Sequence, residues 1–219
     1  MMALFKDRID AGQKLAKKLD NYAGQPDVIV LALPRGGVPV AFEVARALNA
    51  PLDIWLVRKL GVPGHEELAM GAIASGGIRV LNEDIIRFLN ISDEMIDAIA
   101  AMEQRELERR EHVYRGNRPK PDLRDQTIIL VDDGLATGAS MRAAIQSLRS
   151  QKPARIVAAV PTAAPETCAE FEDEVDEIIC ATTPQPFMGV GAWYQQISQT
   201  TDQEVRQLLE QAAQQIPVS

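Results

Sequence analysis

Continuous apolar runs alternate with amphipathic stretches along this chain. The runs are rich in β-branched residues, which is typical of strands that are buried on both faces of a parallel sheet. They occupy Val28–Leu33, Leu52–Val57, Ile128–Val131, Arg155–Val160 and Glu177–Ala181. Strands that alternate with helices in this way predict an α/β fold with a mostly parallel sheet flanked by helices.

Between the runs, apolar residues recur at helical spacing, and capping residues mark where several helices begin. Asn82 and Ser92 are the predicted N-caps of a short helix and of a long, highly charged one. The predicted helices cover residues 4–22, 40–48, 82–89, 92–114, 141–150, a segment from about 165, and 201–212. Met70–Ser75 and Ile78–Leu81 flank a Ser-Gly-Gly turn and predict a hairpin.

The composition is that of a globular protein and argues against nucleic-acid and membrane partners. The 219 residues carry a net charge of -8 without a basic run, and no apolar run approaches the length of a membrane span. Cys168 and Cys180 are too few for a disulfide scaffold, so we expect buried thiols in a cytoplasmic protein. The length favours a single domain, residues 1–219.

The clearest candidate site follows the apolar stretch Thr127–Val131, because ligands bind at the carboxyl ends of strands in parallel α/β sheets. Asp132 and Asp133 come first and suit the hydroxyls of a ribose or a hydrated divalent cation. A turn of small and hydroxyl residues then opens a helix, where backbone N–H groups bind phosphate. The turn consists of Gly134, Leu135, Ala136, Thr137, Gly138, Ala139 and Ser140. This combination predicts a site for a sugar phosphate.

The strand Val28–Leu33 also ends in a glycine-rich turn that opens a helix. Gly36 and Gly37 let the backbone approach a ligand closely, and Arg35 adds a fixed charge with two parallel donors. The turn predicts a second anion site, although an ordinary tight turn has the same composition.

Residues 182–194 are the least regular and most aromatic part of the chain. Phe187 and Trp193 lie there among glycines and prolines, and such a loop can stack a planar base. Core packing of a C-terminal lobe explains the same residues equally well, so both interpretations stay open.

The stretch Thr127–Ser140 closely resembles the phosphoribosyl diphosphate (PRPP) motif of the type I phosphoribosyltransferases: an apolar strand, two acids and a Thr-Gly phosphate turn. The overall pattern looks most like the uncharacterised "predicted phosphoribosyltransferase" group. The resemblance covers about residues 28–160. Members of the family add a variable hood over this core, and the hood candidates here are residues 1–25, 82–118 and 182–219.

The resemblance implies an enzyme that transfers a phosphoribosyl group from PRPP to a nucleobase or amine, depends on Mg²⁺ and releases pyrophosphate. Asp132 and Asp133 would hold the ribose hydroxyls and, through water, the Mg²⁺ ion. Residues 134–140 would hold the 5′-phosphate. Arg35, Gly36 and Gly37 match the family's pyrophosphate loop.

Two further cations match a family feature. Arg58 and Lys59 come directly after the predicted strand Leu52–Val57, and the loop Leu60–Leu68 follows them. In the family, a mobile loop at this place closes over the diphosphate and has basic residues at its root, which suit the leaving group. The candidate catalytic residues are therefore Arg58, Lys59, Asp132 and Asp133.

The acceptor stays open, as does assembly as a homodimer. Hypoxanthine–guanine-type members carry a third acid where this chain has Ala136, which argues against a 6-oxopurine acceptor. The main alternative is a regulator that binds PRPP or a nucleotide without turnover. A hydrolase is a third interpretation, but it needs an activated water that the sequence does not locate.

Overall fold

A five-stranded parallel sheet forms the centre of the protein in the computed structural model, which describes residues 3–217 apart from the side chains of Glu66 and Glu67. The strands of the chain are β1 Val28–Ala32, β2 Leu52–Ile54, β3 Val57–Val62, β4 His65–Ala74, β5 Ile78–Leu81, β6 Thr127–Val131, β7 Arg155–Thr162 and β8 Glu177–Thr182. The central sheet has the order β2-β1-β6-β7-β8, and all neighbours in it are parallel. Strands β3, β4 and β5 form a separate antiparallel sheet. The predicted α/β fold is confirmed.

Helices cover both faces of the central sheet, and within residues 3–217 none is long and apolar enough to cross a membrane. They are α1 Arg8–Ala16, α2 Gly37–Leu48, α3 Glu83–Leu89, α4 Asp93–Arg115, α5 Ala139–Arg149, α6 Pro165–Glu170 and α7 Asp202–Gln215. Val30 and Ile129 pack on the side of α1, α2, α4 and α7, whereas Leu31 and Leu130 pack on the side of α5 and α6. Because both faces are covered, β1 is apolar at every position, and β6 is apolar at every position after Thr127.

The carboxyl ends of β1 and β6 lie level at one edge of the sheet. Ala32 is paired with Val131, and the Leu33 N–H donates to the Val131 carbonyl at 2.9 Å. The turn after β1 leads into α2, and the turn after β6 leads into α5. This register places the two turns side by side, although they are far apart in sequence.

The predicted strand Leu52–Val57 is wrong in its second half. β2 ends at Ile54, the Trp55 N–H makes a last bond to β1 by donating to the Ala32 carbonyl at 3.0 Å, and the chain then leaves the parallel ladder. Trp55 Nε1 donates to Ser147 Oγ at 2.8 Å, and the Leu56 N–H donates to Ser75 Oγ at 3.0 Å. These contacts turn the chain away from the central sheet.

Val57 then begins β3, so Arg58 and Lys59 lie inside an antiparallel strand rather than at the end of a parallel one. Residues 60–68, predicted as a mobile loop, are mostly the β3–β4 hairpin. The sequence did not indicate this because the register shifts at Gly61 and because a proline and a glycine form the hairpin turn, which together hide the strand alternation.

The N-terminal helix is shorter than the predicted range 4–22. Asp7 caps α1 by accepting a hydrogen bond from the Asp10 N–H at 2.9 Å. Phe5 precedes the helix and forms an isolated parallel bridge with Tyr194. Helical spacing alone could not distinguish a residue buried on a helix face from one buried by a distant segment.

Cys168 and Cys180 form a disulfide, so the expectation of two thiols is wrong. The chain returns from α6 to β8 and brings the two Cα atoms within 6.6 Å, a spacing that a disulfide requires. The bond ties α6 to the edge strand β8.

Candidate functional site

The predicted acid pair lies directly after β6, at the carboxyl edge of the sheet. The Asp133 N–H donates to Asp132 Oδ1 at 2.8 Å, which fixes one carboxylate against the backbone of the other. Burial raises the pKa of Asp132 well above its usual value, and the neighbouring Asp133 carboxylate raises it further. The two acids therefore differ: the half-buried Asp132 is bound by the backbone of the turn, and Asp133 faces other charged groups.

Asp133 forms an ion pair that the sequence did not predict. Arg8, in the first turn of α1, donates to Asp133 Oδ2 from Nε at 2.9 Å and from Nη2 at 2.8 Å. On the other side, the Tyr194 hydroxyl donates to the Asp133 carbonyl at 2.6 Å. Asp133 is thus held from both ends of the chain.

One local signal pointed to Arg8. A cation in the first turn of a helix opposes the helix dipole, which favours acids there. Such a residue needs a partner outside its own helix, but its sequence position does not say which one. Tyr194 carried no comparable signal.

The glycine-rich turn after β1 lies against the acid pair. A Cβ on Gly37 would stand 2.8 Å from the Val131 carbonyl oxygen and 3.0 Å from Asp132 Cα, closer than side chains are found to pack. A Cβ on Gly36 would meet Asp133 Oδ2. The peptide bond between Pro34 and Arg35 is cis. The two predicted turns therefore lie against each other: Gly37 is required by the close approach of the backbone after β6, and Gly36 by the Asp133 carboxylate.

Arg35 projects from this turn towards the C-terminal helix. Its Nη1 lies 3.5 Å from Oδ1 of Asp202, the first residue of α7. The same oxygen accepts a hydrogen bond from the Tyr114 hydroxyl at 2.8 Å. Burial and this hydrogen bond raise the pKa of Tyr114 to about 12. Arg35 is partly exposed and has a single weak counter-ion among the described residues, so it remains accessible to an anion.

The turn from Gly134 to Ser140 has an exposed rim and a buried base. Ala136, Thr137, Ala139 and Ser140 are exposed, whereas Gly138 is buried and has a φ of +76°. Gly138 is the N-cap of α5, and the first N–H groups of a helix have no partner within it. The rim can therefore offer hydroxyls and unpaired N–H groups to a phosphate.

The backbone carbonyls of the turn from Gly134 to Ser140 accept hydrogen bonds from side chains on the protein side of the turn. Thr167 Oγ1, on α6, donates to the Ala136 carbonyl at 2.7 Å, and Arg142 Nη1 donates to the Thr137 carbonyl at 2.8 Å. Leu135 adds a backbone bridge to the end of β7. With its carbonyls bound on the protein side, the turn is fixed with its hydroxyl-bearing rim exposed.

Arg142 is neutralised by acids and is no free cation for a phosphate. It pairs with Glu174 at 2.7 Å and with Glu170 at 2.6 Å, and its guanidinium lies 4.7 Å from the centre of the Phe171 ring. The Phe171 ring in turn packs on Gly138. Arg142 and Phe171 are structural supports of the turn.

The structure does not bring Arg58 to the acid pair. Arg58 Nε is bound to the Glu103 carboxylate of α4. Lys59 is exposed, and because side chains alternate along a strand it lies on the other face of β3. A catalytic role for either residue stays a prediction.

The two aromatic candidates in the C-terminal segment differ in exposure. Trp193 is only 3% exposed, and its carbonyl accepts the N–H groups of Leu4 and Phe5. Phe187 is half-buried. Core packing, one of the two interpretations left open, describes Trp193; base stacking by Phe187 stays a prediction.

A large cavity lies beside the acid pair rather than on it. Its volume is about 760 Å³, it is open to solvent on one side, and it is lined by α1, α2, α7 and the segment 196–200. Arg8 and Ser198 are in its wall, but Asp132 and Asp133 are not. Its position next to Arg8 makes it a neighbour of the candidate site, not the site itself.

Ligands of open parallel α/β sheets bind at the carboxyl ends of the strands, and there this chain brings together an acid pair, a glycine turn and a turn that opens a helix. The chain belongs to the family described as "Phosphoribosyl transferase domain", whose profile matches residues 4–196. The resemblance seen in the sequence is thereby confirmed.

Relatives agree with this assignment. "Putative phosphoribosyl transferase Rv0571c" of Mycobacterium tuberculosis is 46% identical over 211 residues, which are 96% of this chain and 47% of that protein. This chain thus spans about half the length of the curated relatives it matches. The crystal structure of TT1426 from Thermus thermophilus is similar with a TM-score of 0.84 and 41% identity, and the match covers 96% of this chain and 99% of that one.

Proposed function

We propose that this chain transfers the phosphoribosyl group of PRPP to a nitrogen nucleophile and releases pyrophosphate. The observation that supports this most is the meeting of two turns at one sheet edge. Gly36 and Gly37 touch the acids of the second turn, so an anion on the first turn and a sugar on the acids would be adjacent. A diphosphate attached to a ribose requires this adjacency.

Each part of the substrate has a matching group. The rim of residues 134–140 would hold the 5′-phosphate through N–H groups and hydroxyls. Asp132 and Asp133 would accept hydrogen bonds from the ribose hydroxyls. Arg35 and the backbone of Gly36 and Gly37 would hold the diphosphate. Arg58 and Lys59 remain further candidates for the diphosphate, provided that the β3–β4 hairpin moves.

Mg²⁺ fits the proposed site. Asp132 and Asp133 would hold it through water, since Mg²⁺ in proteins takes one or two carboxylates and completes its shell with water and substrate phosphates. No group of three His, Cys, Asp or Glu side chains within residues 3–217 could hold the ion alone. Bound Mg²⁺ would neutralise charge on the diphosphate.

The chain's own contribution would be orientation and charge. As the bond from the ribose C1 to the diphosphate oxygen breaks, positive charge develops on the sugar and negative charge on the leaving group. Asp132 and Asp133 would fix the ring, and Arg35 would stabilise the departing diphosphate. Both effects need the reactants to be held in one geometry and shielded from water.

A regulator that binds PRPP without turnover is the second candidate. The Arg58–Glu103 pair favours it, because this cation is bound to α4 instead of facing a leaving group. Absence of the third acid at Ala136 still argues against a 6-oxopurine acceptor under either function.

Pyrophosphate release from PRPP and Mg²⁺, measured with a panel of bases and amines, separates these functions. Release with one acceptor supports the transferase, release without acceptor indicates a hydrolase, and PRPP binding without release indicates the regulator. The variant Asp133→Asn tests the acid pair. It should weaken PRPP binding in calorimetry and leave the melting temperature nearly unchanged. Failure of the unaltered protein to bind PRPP contradicts all three functions.

A further inference from the structure

Arg8 is bound to the acid pair by an arrangement that uses most of its donors. Nε and Nη2 both donate to Asp133 Oδ2, and Nη1 donates to the Ser198 carbonyl at 2.6 Å. The Arg8 side chain is only 15% exposed. Because both donors converge on Oδ2, the other oxygen of Asp133, Oδ1, accepts no hydrogen bond from the described part of the chain.

The position of Arg8 is itself fixed by the C-terminal segment. The Gln195 N–H donates to the Phe5 carbonyl and the Gln196 N–H to the Lys6 carbonyl, both at 2.9 Å. These bonds align the chain before α1 with the segment that carries Ser198 and Tyr194. Arg8 therefore reaches Asp133 from a held backbone, not from a free end.

The surroundings of Asp133 make such a partner necessary. Its carboxylate lies next to Asp132, and two adjacent acids repel each other when both are charged. A guanidinium supplies the opposite charge and, through its planar fork, fixes one oxygen. Gly36 leaves room for this pair, since a Cβ there would meet Asp133 Oδ2 and lie 3.2 Å from Arg8 Nη2.

We propose that Arg8 is a positioning residue: by holding Asp133 Oδ2, it presents Oδ1 to the 2-hydroxyl of the bound sugar. This inference rests on the proposed function, because it assigns the geometry of the same ribose site. Arg8 lies 125 positions from Asp133 in sequence and outside the acid motif. Its contribution is to sugar recognition and not to the phosphate turn.

The test compares two ligands that differ in one hydroxyl, ribose 5-phosphate and 2-deoxyribose 5-phosphate, by calorimetry. The unaltered protein should prefer ribose 5-phosphate. Arg8→Gln should reduce this preference about tenfold, the effect of losing one charge-assisted hydrogen bond, and should change the affinity for 2-deoxyribose 5-phosphate less than about twofold. Arg8→Lys keeps the charge but lacks the fork, so most of the loss should remain.

Lys14→Gln is the matched control, because it removes another cation from α1. Lys14 contacts Asp10 and the Leu4 carbonyl and does not contact the acid pair. It should keep the preference. If Arg8→Gln does not fold, Arg8→Lys carries the test.

Three results with Arg8→Gln would overturn the proposal. The first is an unchanged preference, and the second is an equal loss of affinity for both ligands, which indicates a purely structural role. The third is tighter binding of ribose 5-phosphate, which indicates that Arg8 blocks the site. In each of these cases the unaltered protein still binds ribose 5-phosphate, so the proposed function survives. If the unaltered protein binds neither ligand, the proposed function fails, and the role of Arg8 fails with it.

Discussion

The carboxylate of Asp132 lowers the free energy of unfolding of the protein at neutral pH. Its carboxylate packs against the Gly37 backbone and beside Asp133, and burial raises its pKa well above the usual value. Between the unfolded and the folded pKa, the folded protein binds more protons than the unfolded chain. The free energy of unfolding therefore falls as the pH rises through this window.

Asp132→Asn should therefore stabilise the protein while weakening sugar binding. The amide keeps an oxygen for the Asp133 N–H but carries no charge to desolvate. We expect the melting temperature at pH 8 to rise by about 3 °C, which corresponds to roughly 1 kcal/mol in a chain of this size, and to depend less on pH. Thermal melts from pH 4 to 8 measure this, and equal slopes for the two proteins would contradict the raised pKa.

Gly138 is required both by its backbone angle and by its neighbour. Gly138→Ala puts a side chain at a φ of +76° and within 2.5 Å of Phe171 Cε2, so we expect a loss of about 2–4 kcal/mol in the free energy of unfolding. Gly189→Ala is the control, because φ there is +100° but no atom lies within 4 Å of the added Cβ. It should cost about 1–2 kcal/mol. Equal losses in urea unfolding would show that Phe171 does not confine the turn.

At the scale of elements, α6 and the residues just after it support the phosphate turn. Thr167 binds the Ala136 carbonyl, and Phe171 packs on Gly138. The same short helix is tied to β8 through Cys168. A helix of six residues has little stability of its own, so its position depends on such contacts.

The disulfide should matter for stability because α6 is short. Replacing both Cys168 and Cys180 by Ser should lower the free energy of unfolding by about 2–4 kcal/mol. Treating the unaltered protein with a thiol reductant should give the same loss in urea unfolding. The double variant is the control for the reductant, and a further loss on its treatment would show that the reductant acts elsewhere.

The elements that the sequence predicted well have local causes. β1 and β6 are continuous apolar runs that end in turn residues, and the predicted caps Asn82 and Ser92 each accept a hydrogen bond from their own helix. Two features that the sequence did not predict involve partners far along the chain. β3 separated from β2 because Trp55 bonds Ser147, and Arg8 entered the site because the N-terminal segment pairs with residues 193–196. Local spacing carries no information on such pairings.

At the scale of the whole molecule, segments near both ends of the chain meet at the candidate site. Arg8 binds Asp133, and Asp202 at the start of α7 faces Arg35. The chain has a net charge of -8, so an anionic substrate is repelled at long range and depends on a few local cations. A carboxylate that neutralises one of them should compete with the substrate.

Asp202→Asn should therefore tighten the binding of inorganic pyrophosphate. Arg35 and Asp202 are a partly exposed pair at 3.5 Å, and pairs of this kind contribute about 0.2–1 kcal/mol, so we expect an affinity gain of about 1.4- to 5-fold in calorimetry. The amide oxygen can still accept the Tyr114 hydroxyl, which leaves the contact between α4 and α7 intact.

Glu204→Gln separates this local effect from general charge. It removes the same charge from the same helix turn, and its amide oxygen can still accept the Thr201 N–H of the capping box. Because no contact joins Glu204 to Arg35 in the described residues, its affinity for pyrophosphate should stay unchanged. An equal gain in both variants would mean that only the net charge acts. A weaker affinity in Asp202→Asn would mean that Asp202 orients Arg35 for the anion instead of competing with it.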